Sequence, residues 1–306
     1  MAKWIVTGGA GFIGSHVVEE LVKKNEEVTV IDNLLTGKLE NIKPYMEKIN
    51  FIKGSILESD LLSTQFKNTD YIIHLAALPS VPRSIKDPLA SNENNLTGTL
   101  NVFNEAQKAG VKRVVYASSS SVYGDSETLP KVETMTKKPL SFYALQKSTS
   151  EEYAKLYNKL YNSDFVGIRF FNVFGPRQDP NSVYAAVIPL FIKQMKEGKA
   201  PTIYGDGETS RDFTPVKNVV NGLLLTATSP NKELGGEVFN LACGERISLN
   251  NLVEEINSLL GTNIKPNYED FRVGDIKHSL ADYSKLKKAV GYEVKIPFKE
   301  GLKELV

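Results

Sequence analysis

Short apolar runs alternate with longer amphipathic stretches through the first half of the chain. Lys3 to Thr7 is a strand pattern that runs straight into Gly8-Gly9-Ala10-Gly11-Phe12-Ile13-Gly14. A helical period follows, with Ile13, Val17, Leu21 and Val22 apolar and Glu19, Glu20, Lys23 and Lys24 polar. Val28 to Ile31 reads as a second strand and ends in Asp32. Asn50 to Lys53 and Tyr71 to Leu75 are further strands, the latter followed by Ala76-Ala77. A helix is expected from about Asp87 to Ala109, with Asn94 and Asn95 inside it and Gly110 as its stop. Val111 to Ala117 is a strand that enters Ser118 to Ser121 and then Val122-Tyr123-Gly124. The next helix runs from Tyr143 to about Asn162, and Phe165 to Phe171 is a sixth strand. Strands alternating with helices of this length predict an α/β fold around a Rossmann-type, doubly wound parallel sheet.

Beyond residue 170 the pattern changes. Gly175 to Pro180 is a loop, Ala185 to Glu197 a helix, and Tyr204-Gly205-Asp206-Gly207 a tight turn. Arg211-Asp212-Phe213 and Phe271-Arg272-Val273-Gly274-Asp275 are separated by helical patterns at about Val216–Thr228 and Leu249–Leu260 and by a strand at Glu237–Leu241. We therefore expect a dinucleotide-binding domain at 1–170 and a smaller α/β substrate domain at 171–306, with segments near 213–242 returning to the first. The two arginines are either solvated surface residues or ligands for paired phosphate charges.

Strand, glycine turn, helix, strand, acid is an arrangement with a purpose. Glycines let the backbone approach a pyrophosphate at a helix N-terminus, where N–H groups and the dipole favour anions. Asp32 can accept from adenosine ribose hydroxyls and repels a 2′-phosphate, so the expected cofactor is NAD rather than NADP. The spacing G-x-x-G-x-x-G points to the short-chain dehydrogenase/reductase type of fold. Ala76 and Ala77 would let a cofactor lie against the backbone, and the serine cluster sits at the ligand edge of the sheet.

Tyr143 and Lys147 are four apart, which on a helix puts their Cβ atoms about 5–6 Å apart on one face. Lowering a phenol from ~10 to ~7 requires roughly 4 kcal/mol. One cation at ~6 Å, with an effective dielectric of ~20, supplies roughly 3 kcal/mol, so a second positive charge such as an oxidised nicotinamide would complete the shift.

Composition narrows the class. The 306 residues carry 37 Lys and Arg against 36 Asp and Glu, giving no field for nucleic acid or an anionic membrane. Cys243 is the only cysteine and there are only three histidines, so neither a disulfide nor a Cys/His metal cluster is available. With no run of about 18 apolar residues, a cytoplasmic globular protein is expected. With only a short tail after the Gly301-Leu302 helix, no added module is expected.

Taken together, these motifs make the chain similar to the extended short-chain dehydrogenase/reductases, and within them to the UDP-sugar 4-epimerases, over nearly its whole length. The resemblance rests on Thr7 through Gly14, Asp32-Asn33, Ser118 through Gly124, Tyr143 through Lys147, Arg169-Phe-Phe-Asn172, Ile203 through Phe213 and Arg272 through Asp275. The run from Phe171 to Phe213 is most like that of UDP-N-acetylglucosamine 4-epimerases. The resemblance implies that Tyr143, as phenolate, takes the proton of the sugar 4-OH while the C4 hydride moves to NAD. It further implies that Lys147 holds the nicotinamide ribose and that Ser119 bridges substrate and Tyr143. The 4-keto sugar turns over and receives the hydride on its other face. Nucleotide binding supplies the energy, because the nucleotide never reacts.

For NAD, the resemblance implies Gly8, Gly11, Phe12, Ile13, Asp32, Asn33, Gly37, Ser55, Ile56, Leu75, Ala76, Ala77, Asn95, Ser118, Tyr143, Lys147 and Phe170. For the UDP-sugar it implies Ser80, Arg83, Ser119, Ser120, Tyr143, Asn172, Ala186, Val187, Tyr204, Arg211, Arg272, Asp275 and Ser279. Ser55 stands where the family usually has an adenine-binding Asp, so its hydroxyl or the Ile56 backbone would replace that contact. Pro79 stands where relatives carry Gly or Lys, so the loop from Pro79 to Arg83 would be shaped differently. Dehydratases carry Asp-Glu at Ser120-Ser121, and UDP-xylose-forming decarboxylases carry Glu at the second place; serines cannot expel a C6 hydroxyl by acid–base chemistry. UDP-glucuronate 4-epimerases share the serine run but usually have Thr at Asn172; they, or another NAD-dependent sugar-nucleotide oxidoreductase or dehydratase of the same fold, remain the alternative. Ser279, small where a Tyr accompanies glucose/galactose-only enzymes, implies acceptance of N-acetylated sugars. A homodimer through the helices containing Asn95–Ala109 and Tyr143–Asn162 is also implied.

Overall fold

A computed structural model describes residues 1–180, 186–271 and 277–306. Its centre is a seven-stranded, all-parallel sheet. The strands are β1 (Lys3–Thr7), β2 (Glu27–Asp32), β3 (Ile49–Lys53), β4 (Tyr71–His74), β5 (Arg113–Ser119), β6 (Phe165–Phe170) and β7 (Val238–Leu241). Their order, β7-β6-β5-β4-β1-β2-β3, reverses direction between β1 and β4. Sheets wound in this way form a ligand crevice at that reversal, outside the strand C-termini. The fold is therefore the expected Rossmann-like α/β architecture.

The helices are α1 (Phe12–Lys23), α2 (Ser59–Gln65), α3 (Val81–Lys86), α4 (Pro88–Asn92), α5 (Gly98–Ala109), α6 (Phe142–Tyr161), α7 (Val187–Lys196), α8 (Val216–Thr228), α9 (Leu249–Leu260), α10 (Ser284–Val290) and α11 (Phe298–Lys303). Alternate strand residues face opposite sides, which sorts the core into two layers. Trp4, Val6, Val28 and Val30 pack with Val17, Leu21, Val219 and Leu223 of α1 and α8. Ile5, Ile31, Ile72 and Val114 pack with Leu62, Val102, Phe103 and Ala154 of α2, α5 and α6. Thus α8 and β7, from the second half of the chain, belong to the sheet assembly. A third cluster, including Phe191, Ile203, Phe213, Leu252 and Phe298, forms the core of the remaining segments. No helix among the described residues is long and apolar enough to cross a membrane.

Two elements differ from the sequence reading. The helix expected over Asp87–Ala109 is interrupted by a π turn at Glu93–Thr97, between α4 and α5. The loop from Pro79 contains a short helix, α3, whose first turn is capped by Ser80 accepting from the Arg83 N–H. Both changes lie beside the ligand edge, where tertiary contacts override local periodicity.

Candidate active site

At the C-terminal edge of the sheet lies a cavity of about 490 Å³. Its floor at β1 is the glycine turn. Gly8 has φ +71°, and a Cβ there would lie 2.6 Å from the Ala76 amide nitrogen. At Gly14 a Cβ would lie 2.1 Å from the Gly8 carbonyl oxygen, so only glycine lets α1 begin this close to the strand. The first turn of α1 has no side-chain cap, and its N–H groups have no intrahelical acceptors, so this end of the helix suits an anion.

Asp32 closes β2. Its carboxylate accepts from the Ala10 N–H at 2.9 Å and the Leu34 N–H at 2.8 Å, while burial raises its pKa. Each oxygen keeps a lone pair for a ligand hydroxyl. Gly37 is not on the cavity wall, but a Cβ there would lie 2.8 Å from either carboxylate oxygen. Asn33 lines the cavity and accepts from the Leu35 N–H. Ser55 and Ile56 form the wall at the end of β3. The Ser55 hydroxyl accepts from the Leu57 N–H at 3.2 Å, and its own N–H donates to Glu58 at 2.6 Å. Leu75, Ala76, Ala77 and Phe170 complete the apolar part of the wall.

Helix α6 brings in the reactive pair. Ser141 caps it by accepting from the Ala144 N–H, which sets Tyr143 in the first turn. Tyr143 keeps accessible surface and both it and Lys147 line the cavity. The Lys147 ammonium donates to the Ala117 carbonyl at 2.8 Å and lies 5.9 Å from the Tyr143 ring centre. Burial pushes Lys147 down to about 8. Burial also raises Tyr143, opposed by its hydrogen bond with Ser119. The Ser119 hydroxyl accepts from the Ser121 N–H and Oγ, which leaves its own proton for the phenol oxygen. In this desolvated pocket burial opposes both the ammonium and the phenolate, which adds to the need for the second positive charge expected from the sequence.

Of the remaining expected residues, Ser118, Ser80, Arg83 and Ala186 line the cavity, while Ser119 and Ser120 stand beyond its wall. Asn95 is fully buried behind the wall; it accepts from the Leu78 N–H at 2.7 Å and donates to the Leu78 carbonyl at 3.0 Å. The π turn instead presents Asn94 to the cavity. Ser80 has φ +116°, a conformation that a serine adopts only when held there. Asn172 has φ +33°, and its buried Nδ2 has no hydrogen-bond partner among the described residues. Val187 begins α7 and is half-buried.

The other sugar-side residues come from short paired segments. Tyr204 ends Thr202–Tyr204, which pairs with Asn267–Glu269. Arg211 lies in Ser210–Arg211, antiparallel to Ile247–Ser248. The Ser279 N–H donates to the Ser210 carbonyl at 3.0 Å, so Ser279 and Arg211 stand on neighbouring segments. Asp212, fully buried next to Arg211, ties that segment to the turn after β7 and to the stretch after Ser279 by accepting from the N–H groups of Cys243 (3.0 Å), Gly244 (3.1 Å) and Ala281 (3.1 Å). Burial raises it to about 6 despite these bonds. Arg272 and Asp275 lie outside the described residues.

Sequence reasoning missed a buried network behind the pair. Glu151, four residues past Lys147, accepts from Ser118 Oγ at 2.6 Å and from Arg169 through Nε (2.8 Å) and Nη2 (2.7 Å). Arg169 also donates to the Tyr123 hydroxyl, which donates to Asn240. Glu151 thus anchors the face of α6 that carries Tyr143 and Lys147 to β5 and β6. Its i+4 spacing from Lys147 is the signal that could have found it. Gln178 and Asp179, also unassigned, line the cavity.

The comparisons agree with this geometry. The model of the NAD dependent epimerase/dehydratase family matches residues 4–242. A putative UDP-glucose 4-epimerase of Methanocaldococcus jannaschii is 37% identical over 304 residues, 99% of this chain and 96% of that protein. The structure of a UDP-N-acetylglucosamine 4-epimerase from Methanobrevibacter ruminantium, in complex with UDP-N-acetylmuramic acid, is 44% identical with a TM-score of 0.94, over 99% of this chain and 96% of that one. That of a Thermotoga maritima UDP-glucose 4-epimerase with UDP-glucose is 35% identical with a TM-score of 0.93, over 99% and 97%. The chain belongs to the NAD dependent epimerase/dehydratase family.

Proposed function

We propose that this protein is an NAD-dependent UDP-sugar 4-epimerase that interconverts UDP-GlcNAc with UDP-GalNAc and UDP-Glc with UDP-Gal through a transient 4-keto sugar. The observation that carries the reading is Tyr143 on the wall of a cavity of about 490 Å³, with the Lys147 ammonium 5.9 Å from its ring centre and Ser119 holding its pKa down. The glycine cradle, the uncapped start of α1 and the Asp32 carboxylate suit the pyrophosphate and ribose of NAD, with Asn33, Ser55, Ile56, Leu75, Ala76, Ala77 and Phe170 around the rest of the dinucleotide. When bound, NAD supplies the acceptor and donor of the C4 hydride and a positive charge.

Tyr143 accepts the proton of the sugar 4-OH and later returns it. Ser119 donates to the phenol oxygen and so stabilises its ionised form. Lys147, fixed at Ala117, contributes a cation to the same end and a donor to the ribose. Ser120 and Ser121 supply no acid for elimination, which keeps the 4-keto sugar intact. Asn172, whose amide nitrogen has no partner among the described residues, serves the UDP-sugar together with Arg83, Tyr204, Arg211, Arg272 and Asp275, and Arg211 and Arg272 pair with its diphosphate. Segments 1–170 and about 213–242 form the cofactor unit, and the rest forms the sugar-nucleotide unit. Phe142, Leu145, Leu156 and Leu160 of α6, all exposed, make a surface suited to a second copy of the chain. The single cysteine accords with a cytoplasmic setting.

Purified protein incubated separately with UDP-Glc, UDP-GlcNAc and UDP-GlcA, with C4 epimers resolved, tests this. Conversion of the first two is expected, and Ser279→Tyr should suppress UDP-GlcNAc turnover while sparing UDP-Glc. Turnover of UDP-GlcA alone would replace the reading with the glucuronate epimerase, and release of carbon dioxide or water would move it to another reaction of the family.

A further inference from the structure

Just past Phe174, at Gly175–Asp179, the chain crosses back onto α1, and the contacts there exceed what a surface loop needs. Arg177 has φ +67° and reaches Glu19 at 2.5 Å, the His16 ring at Nδ1, and the carbonyls of Ser15 (3.3 Å) and Asn41 (3.2 Å). His16 Nε2 lies 2.9 Å from the Pro176 carbonyl and must donate to it, so Nδ1 is the lone pair that Arg177 meets. Burial holds His16 down to about 4, which keeps it neutral and in this role. Next door, Asp179 pairs with Lys38 at 2.8 Å, and the Lys38 N–H donates to the Ala10 carbonyl of the glycine turn.

Gln178 and Asp179 line the cavity together with Phe12 and Ile13 of the turn. Gln178 donates through Nε2 to the Val173 carbonyl, and its buried Oε1 has no partner among the described residues. A non-glycine residue at positive φ, an acceptor without a partner among the described residues and a part-buried ion pair all meet at Arg177 and Gln178. Strain of this kind persists where the surroundings over-determine it, commonly at ligand clamps.

We infer that Gly175–Asp179 is a clasp that Arg177 locks onto α1, holding Gln178 and Asp179 against the dinucleotide so that it is retained between turnovers. This rests on the NAD reading above. Arg177 is a positioning residue: it acts through its two neighbours and does not line the cavity. The chemistry asks for such a device, because an enzyme that regenerates its cofactor in every cycle gains nothing by releasing it. Gln178 and Asp179 line the cavity beside Phe12 and Ile13, and the Lys38–Asp179 pair closes the span from the glycine turn to the clasp.

The test is the rate at which bound NAD leaves, followed by dilution or displacement with a fluorescent NAD analogue. Arg177→Ala should release NAD at least about tenfold faster than wild type, the scale expected when a charge-assisted bond network is lost. Lys38→Asp and Asp179→Lys should each accelerate release several-fold, and the double charge exchange should recover toward wild type. Thermal unfolding of the cofactor-free variants serves as the control; should Arg177→Ala fail to fold, the exposed Lys38–Asp179 exchange decides. Wild-type release rates in Arg177→Ala and in both single charge variants would overturn the clasp while leaving the cofactor reading intact. A wild-type protein that takes up no NAD would overturn both.

Discussion

The two sides of the cavity are assembled by different means. On the dinucleotide side, Gly8, Asp32, Ala76 and Ser118 each sit at the end of a parallel strand, and one sheet sets all their positions. On the sugar side, Tyr204, Arg211 and Ser279 stand on segments joined by pairings of two or three residues. There the Asp212 carboxylate does the tying that a sheet does elsewhere, collecting N–H groups from Cys243, Gly244 and Ala281. A sheet sets its strand ends by many hydrogen bonds, whereas beside Arg211 and Ser279 one buried carboxylate gathers three. Single substitutions should therefore affect the two sides unequally.

The largest effect is expected on the reactive pair. Tyr143→Phe removes the proton acceptor but none of the sheet-end residues, so kcat should fall by about 10²–10⁴-fold with NAD still bound. Chromatographic assay of C4 epimers, with the absorbance of cofactor released on denaturation, measures both. An active variant would remove Tyr143 from the chemistry.

Next comes the tie on the sugar side. Asp212→Ala leaves three backbone N–H groups without their acceptor, at a cost of about 1–3 kcal/mol for each that water does not reach. KM for the UDP-sugar should rise about tenfold or more while NAD retention holds, because β1 to β7 are untouched. Equal losses of NAD and sugar-nucleotide affinity would abolish the distinction between the two sides.

The smallest effect is in acid, where the two sides should respond with opposite sign. His74, buried between Thr7 and Thr99, is held down to about 3 by burial, with the Lys147 charge adding to it. His16 is held down to about 4. The unfolded chain binds the extra protons below its own histidine pKa of ~6.5, so stability from these two is complete above that pH and declines toward 4. Asp212, raised to about 6, has the opposite sense: between its unfolded value of ~3.9 and 6 the folded protein binds the extra proton, and stability rises as pH falls. Two histidines outweigh one aspartate. Urea titrations should show a net loss of a few kcal/mol between pH 6.5 and 4, shallower in His74→Gln and steeper in Asp212→Asn.

Local periodicity was a good guide wherever an element lies across the sheet. The limits expected for β1 and α8 agree with the structure to the residue, and those for β2, β5 and α6 within two. Short-range order of this kind follows from which face of a strand or helix is buried. The π turn at Glu93–Thr97 and the short helix α3 were not legible, because both are set by packing at the cavity rim. Glu151 could have been suspected from its spacing, but its partners Ser118 and Arg169 lie on separate strands.

By itself, the sequence determined the glycine turn, the acid at the end of β2 and the Tyr143–Lys147 spacing, because each is a matter of a few consecutive residues on one element. Only the tertiary structure decided the state of that pair. Desolvation in the finished pocket raises Tyr143 and lowers Lys147, and Ser119 stands by the phenol only because β5 ends where α6 begins. The tie at Asp212 and the clasp at Arg177 likewise join residues far apart in the chain, and no local pattern records such distances.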